Sequence, residues 1–391
     1  LDKGEIMATN YADDIIPRTA GTSLRIATFN VENLFSRPIA MDYEDNRVGQ
    51  PYLDAYAELN SLFAKPQYAE DDKARMLEIL TEQKLTGTRP QNKHLEFRKI
   101  RGQLVAKRGN RYEIVANGRA DWVGWIELKE KEISDRAILN TARVIAAVDA
   151  DIITLVEVED RPGLLKFHDN VLRPILDTTG RAPYGYALVV DGNDSRGIDV
   201  GILSRFPITD ITTHVFDVPG APPVFSRDCC EYFVDVLGVS GRLIVMANHF
   251  ASKGSDPTGK RRRIHQARRV SQIVQDRLSQ GFTHFVVCGD LNDPPDSASL
   301  QPLLGNASLQ DAVMRFASAI DPTGKRLGTY ETGKQQIDYL LMSPALQSAA
   351  LAAGIERRGH YAPRSFASFD SVKSSRDAAS DHHCVWLDLA F

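Results

Sequence analysis

The chain has 391 residues, 43% of them hydrophobic, which is enough for one large domain or two ordinary ones. Its 47 Lys and Arg against 51 Asp and Glu leave a net charge of -4, so no whole-chain attraction to nucleic acid or an anionic membrane is implied. An anionic partner must be held locally. Four cysteines (Cys229, Cys230, Cys288, Cys384) without a C-x-x-C spacing exclude a small disulfide scaffold and give a poor zinc signal.

Residues 1–20 read as a leader or flexible N-terminus, with Met7 as a native start. The opening "LDKGEIMATNYADD" lacks the basic and apolar regions of a secretory signal, and no apolar run reaches the roughly 18 residues of a membrane helix. No membrane span is expected. The location stays open between the cytoplasm and, had a signal peptide been removed, secretion; a monomer is compatible with the sequence.

The first strand is "LRIATF", 24–29, and the chain turns polar after it at Asn30, Glu32 and Asn33. Residues 36–134 are charge-rich and read as an insertion into a single domain spanning 21–391. Within the insertion "YAEDDKARMLEILTEQK" is helical, and "RYEIVANGRADWVGWIELKEK" reads as two strands around Asn117-Gly118. Trp122 and Trp125 are expected to pack that hairpin on the core, with a substrate lid as the other reading.

Ile138, Ala142 and Ile145 then share one helical face ahead of a buried strand at 152–156. Short strands follow at 186–190, 198–203, 231–237, 242–248, 284–288, 337–342 and 384–389, with a turn at Ser240-Gly241 and helices near 164–176, 260–279 and 298–304. Interspersed strands and helices place the chain in the α/β or α+β class with mixed sheets.

Several strands end in acids, amides or imidazoles: Asn30 and Glu32, Glu157, Asn248 and His249, Asp290 and Asn292. Asp338 opens "IDYLLMS", and Ser380, Asp381, His382 and His383 precede the last strand. Repetition of that ending suggests a rim where loops from neighbouring strands meet. Hard oxygen donors such as Glu157 and Glu32 suit Mg²⁺ or Mn²⁺, and the chemistry indicated is metal-assisted attack of water on a phosphate ester.

Seven segments in order, "TFNVENLF", "DIITLVEVED", "RGIDVGILSR", "ANHFASKG", "VVCGDLNDPP", "QQIDYLLMS" and "SDHHCVWL", resemble the endonuclease/exonuclease/phosphatase superfamily. The resemblance implies a four-layered sandwich of two mixed β-sheets flanked by helices, with the site at one edge. It implies Glu157 as principal metal ligand with Asn30 and Glu32, and Asp381 in the metal shell or holding a ligating water. Asp290 and Asn292 would activate and orient water, His249 and His382 would stabilise the phosphate, and Asp338 and Asp199 would orient His382 and His249 respectively. His383 is expected to be structural or outward-facing.

"NHFASKGS" is similar to the NHxxSKG pattern of bacterial nucleases in that superfamily. The basic run "KRRRIHQARR" that follows is either a solvated helix face or a phosphate track. Asn248, Lys253, Arg261 and Arg262 are the expected substrate contacts beside Asn30, and the expected substrate is nucleic acid, DNA first. A phosphomonoesterase or sphingomyelinase-like phosphodiesterase is the alternative enzyme; the lipid enzyme would want an exposed apolar hairpin, which Trp122 and Trp125 could furnish. A catalytically inactive binding protein on the same scaffold should lack one of Glu157, Asp290, Asn292 or His382, and this sequence has all four.

Overall fold

The computed structural model of the chain describes residues 10–32, 38–41, 43, 46–86, 92–130, 134–194, 197–217, 223–236, 238–239, 241–253, 257–361 and 366–391. Met7, Asn33 and Ser240, named above, and the glycine of the NHxxSKG pattern, Gly254, lie outside the described residues. The chain forms two compact units, one of residues 1–35 with 133–391 and one of residues 36–132.

The first unit contains β1 (Leu24–Asn30), β2 (Ile152–Val158), β3 (Tyr186–Val190), β4 (Asp199–Ser204), β5 (Ile208–Thr212) and β6 (Cys229–Val234). These are followed by β7 (Leu243–His249), β8 (Phe285–Asp290), β9 (Gln310–Asp311), β10 (Asp338–Met342), β11 (Ala350–Glu356) and β12 (Cys384–Leu389). Among the described residues they make two six-stranded sheets, ordered β11-β12-β1-β2-β4-β3 and β9-β10-β8-β7-β6-β5. Both are mixed: β1 and β2 are parallel, as are β7 and β8, while β12 and β10 run antiparallel to their neighbours.

The strands in the middle of these sheets are largely apolar on both faces because both faces are covered, with Arg25 of β1 and Asp388 of β12 as a fully buried ion pair. Leu24 and Ile26 of β1 meet Val286 and Cys288 of β8 and Leu340 of β10 in a layer between the sheets. The intervening residues Ala27 and Phe29 pack outward under the helices Asp135–Val148 and Arg161–Phe167. On the far side Phe285, Val287 and Tyr339 pack under the helix Pro257–Ser279 through Ala267, Val270 and Ile273. Helices, sheet, sheet and helices therefore form four layers, as expected.

Asp135–Val148 starts where the Ser134 side chain accepts the Arg136 N–H and stops where Asp149 enters the left-handed region at φ 51°. Residues 10–20, read from sequence as leader or flexible end, are held on the fold. Arg18 pairs with Asp151 at 2.8 Å, and Tyr11 is buried beneath Arg143. All four cysteines are free and buried.

Three strands of this unit were not legible in the sequence, one of them the two-residue β9. The edge strand β11, "ALAAGIE", is built from Ala and Gly, which carry little strand signal, and β5 is mostly polar. The helix expected at 298–304 is confined to Gln301–Leu304.

The second unit has its own core, with Leu59 and Phe63 from the helix Asn46–Phe63, Met76 and Leu80 from Glu70–Glu82, and Trp122. Its strands pair differently from the hairpin expected around Asn117-Gly118. Arg111–Ile114 pairs with Val105–Arg108, and Trp122–Leu128 pairs with Leu95–Gly102. Gly118 instead lies against Pro66, where a Cβ would meet the carbonyl oxygen at 2.0 Å. Trp122 is fully buried and donates its indole N–H to the Tyr68 hydroxyl at 2.8 Å.

Candidate active site

Even-numbered residues of β1 face the layer between the sheets, so Asn30 completes the row begun by Leu24 and Ile26. Even-numbered residues of β8 and β10 do the same, which places Asp290 after Val286 and Cys288 and Asp338 before Leu340. Odd-numbered residues of β7 lead through Val245 and Ala247 to His249. The polar cluster is thus the end of the inter-sheet core, where the apolar rows run out.

Glu157 reaches this cluster by an irregularity. Ile152 and Val156 face the inter-sheet layer, so strict alternation would send Glu157 outward with Ile153 and Leu155. The register with β4 shifts between Val156 and Val158, and Glu157 takes φ 68°. An extra residue in one strand turns its side chain and interrupts pairing. Val158 stays with the outward row, while the Glu157 carboxylate lies 3.3 Å from Asn30 Nδ2.

Asp290 is the hub. Its Oδ2 accepts from Asn30 Nδ2 at 3.1 Å and from Asn292 Nδ2 at 3.2 Å, and its Oδ1 accepts the Asn292 N–H at 2.8 Å. The Nε2 atoms of His249 and His382 each lie 3.8 Å from Oδ2, and His249 Nε2 is also 3.8 Å from Glu157 Oε1. Gly289 is required just before it: at φ 119° an added Cβ would sit 2.0 Å from the Asn248 carbonyl oxygen. Asp290 and Asn292 at the end of a buried strand are therefore one device, a carboxylate and an amide that holds it.

His382 is fixed from behind. Its Nδ1 lies 2.9 Å from Asp338 Oδ2, and that oxygen also accepts from the Thr329 hydroxyl at 2.7 Å. Thr329 in turn accepts the Ile337 and Asp338 N–H groups. Tyr330 lies tilted against the His382 ring at 4.9 Å between centroids. Sequence reasoning did not find Thr329; its only signal is a small hydroxyl residue between glycine and an aromatic in "LGTYETG", which reads as a turn.

Burial opposes charge on His382, but Asp338 and Asp290 outweigh it and raise the imidazole well above its ordinary range. Burial pushes Asp290 up to about 7, against the pull of His382. Asp381 is also raised by burial. Four of the six described non-glycine residues at positive φ, Glu32, Glu157, Asn292 and Glu331, lie at this rim, and such strain gathers where surrounding structure enforces function.

The donor set fits a hard divalent cation. Glu157, Asp290, Asp338 and Asp381 surround two imidazoles, and the carboxylates outnumber the positive charges that the rings can carry. Ligating atoms of Asp290, Asp338 and His382 lie within 4.8 Å of one another, but Asp338 and His382 already satisfy each other and Thr329 takes the remaining reach of Asp338. Glu157 with Asn30 is the better seat, because its carboxylate is 19% exposed and made of oxygen donors suited to Mg²⁺ or Mn²⁺.

The remaining expected residues divide. Asp381 N–H donates to Glu32 Oε2 at 3.0 Å, and Asp381 Oδ1 is 3.7 Å from His382 Nε2, so both acids stand at the rim. Lys253 donates to Gln335 Oε1 at 2.8 Å; burial lowers its pKa, while Asp293 and Asp290 act the other way. Asn248 is not brought to the cluster: it faces away from His249 across its strand and donates to the Met246 carbonyl at 2.9 Å. Arg261 and Arg262 are exposed on the helix Pro257–Ser279, but Arg263, expected outside with them, is buried. It donates to Asp293 at 2.7 Å and to the Ala251 and Ser252 carbonyls, tying the segment after His249 to the one after Asn292.

His383 is buried and held low by burial, packed edge-on to His360, so it is structural rather than outward-facing. Asp199 accepts the Gly192 N–H at 2.7 Å, and burial pushes it up to about 7. Its unfolded value is near 3.8, so the folded state loses stability as pH rises from about 4 to 7 and no more above that. Asp199→Asn keeps the oxygen that accepts from Gly192 and is expected to be about 2–4 kcal/mol more stable than wild type at pH 8, with no gain at pH 4. Thermal unfolding across that range checks it; an equal gain at both values would refute the burial of charge.

Comparison with known proteins follows the same lines. A model of the Endonuclease/Exonuclease/phosphatase family matches residues 129–382, more than half of the chain. No curated protein matches. Solved structures similar to the chain include truncated TDP2 from Caenorhabditis elegans, with 18% identity and TM-score 0.44 over 65% of this chain and 90% of that one. A mannosyl-6-phosphatase from Bacteroides thetaiotaomicron gives 17% and 0.45 over 66% and 91%. A 3'-5' exonuclease from Neisseria meningitidis gives 17% and 0.44 over 66% and 96%. The family match, and not these distant likenesses, carries the assignment: the chain belongs to the Endonuclease/Exonuclease/phosphatase family of phosphoric ester hydrolases.

Proposed function

We propose that the protein is a divalent-metal-dependent phosphodiesterase that hydrolyses nucleic acid, DNA in the first place. The observation that carries this reading is the convergence of Asn30, Asn292, His249 and His382 on one oxygen of Asp290, beside the Glu157 carboxylate. Asp290 takes the proton from the attacking water in this reading, which the hold of Asn292 on both of its oxygens supports. His382, kept protonated by Asp338, and His249 donate to the nonbridging oxygens as charge grows on them. Glu157, with Asn30 and Glu32, would hold Mg²⁺ or Mn²⁺, which when bound neutralises charge on the phosphate and the departing oxygen.

Nucleic acid is favoured by the cations that follow His249. Lys253 lies close enough to feel Asp290, and Lys260, Arg261, Arg262 and Arg268 are exposed on the helix beyond. The "NHFASKG" segment supports the same reading. A lipid phosphodiesterase is less well supported, because Trp122 is buried in its own unit's core and Trp125 is half-buried with its indole N–H donated to Glu127.

The test is hydrolysis of end-labelled linear DNA, closed circular DNA, RNA, bis-p-nitrophenyl phosphate and sphingomyelin, each with Mg²⁺, Mn²⁺ or EDTA. DNA cleavage that EDTA abolishes and either metal restores is expected. Intact DNA under all conditions, or undiminished cleavage in EDTA, would overturn the reading.

A further inference from the structure

A cleft of about 370 Å³ opens beside the cluster, within the range of sites that hold a small-molecule moiety. One wall is Pro294 and Pro295, which directly follow Asn292 and Asp293. Opposite stand Gln335 and Gln336, just before Asp338. The two walls are joined at their base by the Tyr339 hydroxyl, which donates to the Asp293 carbonyl at 2.7 Å and lies 3.3 Å from the Gln336 carbonyl. Lys253 spans from the segment after His249 to Gln335 at 2.8 Å. The cleft thus shares its walls with the loops that carry Asn292, Lys253 and Asp338.

Its lining has three chemical parts. Pro294, Pro295, Leu327 and Met314 offer flat or apolar contact, and Met314 is 52% exposed, unusual for a methionine with no partner to cover. Lys325 and Lys334 bring two ammonium groups to the same lining. Gln335 adds a carboxamide, whose Oε1 accepts from Lys253, and Asp296 adds one carboxylate able to accept an amino group, while Gln336 is buried with its Nε2 held by Asp311. An apolar platform, hydrogen-bonding groups for a polar edge and cations for an anion match a nucleotide: base, base edge and phosphate.

We propose that this cleft binds the nucleotide adjoining the scissile phosphodiester, its base against Pro294, Pro295, Leu327 and Met314 and its own phosphate on Lys325 and Lys334. The proposal rests on the nucleic-acid reading above and gives it a specificity subsite. Such a subsite contributes to binding and not to the proton transfer at Asp290, so binding can be measured with chemistry switched off.

The experiment is fluorescence anisotropy of a short labelled single-stranded oligodeoxynucleotide with the full-length protein in EDTA. The double variant Lys325→Ala/Lys334→Ala and, separately, Met314→Glu are compared with wild type; all three positions are exposed, so folding is retained. Each variant is expected to weaken binding on the order of tenfold, and the double variant also to flatten the dependence of affinity on salt. Wild-type affinity in either variant, or no binding by wild type, overturns the cleft. Failure of wild type to cleave DNA with Mg²⁺ or Mn²⁺ overturns the nuclease reading instead, and the two failures are read in separate assays.

Discussion

Replacing Asp290 with asparagine is expected to lower kcat on DNA or bis-p-nitrophenyl phosphate by about three orders of magnitude with the fold intact. Five groups of the cluster converge on this carboxylate: the Asn30 amide at 3.1 Å, the Asn292 amide at 3.2 Å, the Asn292 N–H at 2.8 Å and two imidazoles at 3.8 Å. Asparagine keeps the size but cannot take a proton from water. The same substitution removes a buried carboxylate that is pushed up to about 7, so stability above pH 7 should hold or rise while activity falls. Single-turnover rates and thermal unfolding at pH 8 separate the two. A kcat within tenfold of wild type would remove Asp290 from the chemistry.

His382→Ala is expected to cost about a hundredfold in kcat, roughly 3 kcal/mol of transition-state stabilisation. The ring acts as a charged donor because Asp338 stands behind it at 2.9 Å and Thr329 holds Asp338 in place. Asp338→Asn should therefore move the alkaline limb of the kcat profile to lower pH: without the carboxylate the imidazolium loses its proton sooner. A smaller movement in the same sense is expected for Thr329→Val. If Asp338→Asn lowers the rate uniformly at all pH values, Asp338 serves packing rather than the charge of His382.

Much of this arrangement was legible because it uses side-chain identity at strand ends. Asn30, Glu157, His249, Asp290, Asp338 and His382 all lie where an apolar run stops, and strand alternation carries Asn30, His249, Asp290 and Asp338 to one layer, whereas His382, just ahead of its strand, has the parity of the outward-facing Cys384 and Trp386. Glu157 is different: alternation points it the wrong way, and the bulge that corrects this depends on pairing with β4, which one strand cannot reveal. Asn248 was misplaced for the converse reason, since neighbours along a strand face opposite sides. Arg263 was read as one more surface cation in a basic run, yet a helix repeat sets it on the inner face opposite Asp293. Thr329 acts through a hydrogen bond to Asp338, and nothing in its local sequence announces so distant a duty.

The left-handed turn at Glu157 carries a cost that the fold must sustain at every moment, substrate or none. Glycine or asparagine there would sit more comfortably, so the place of this acid is set by something other than local backbone ease.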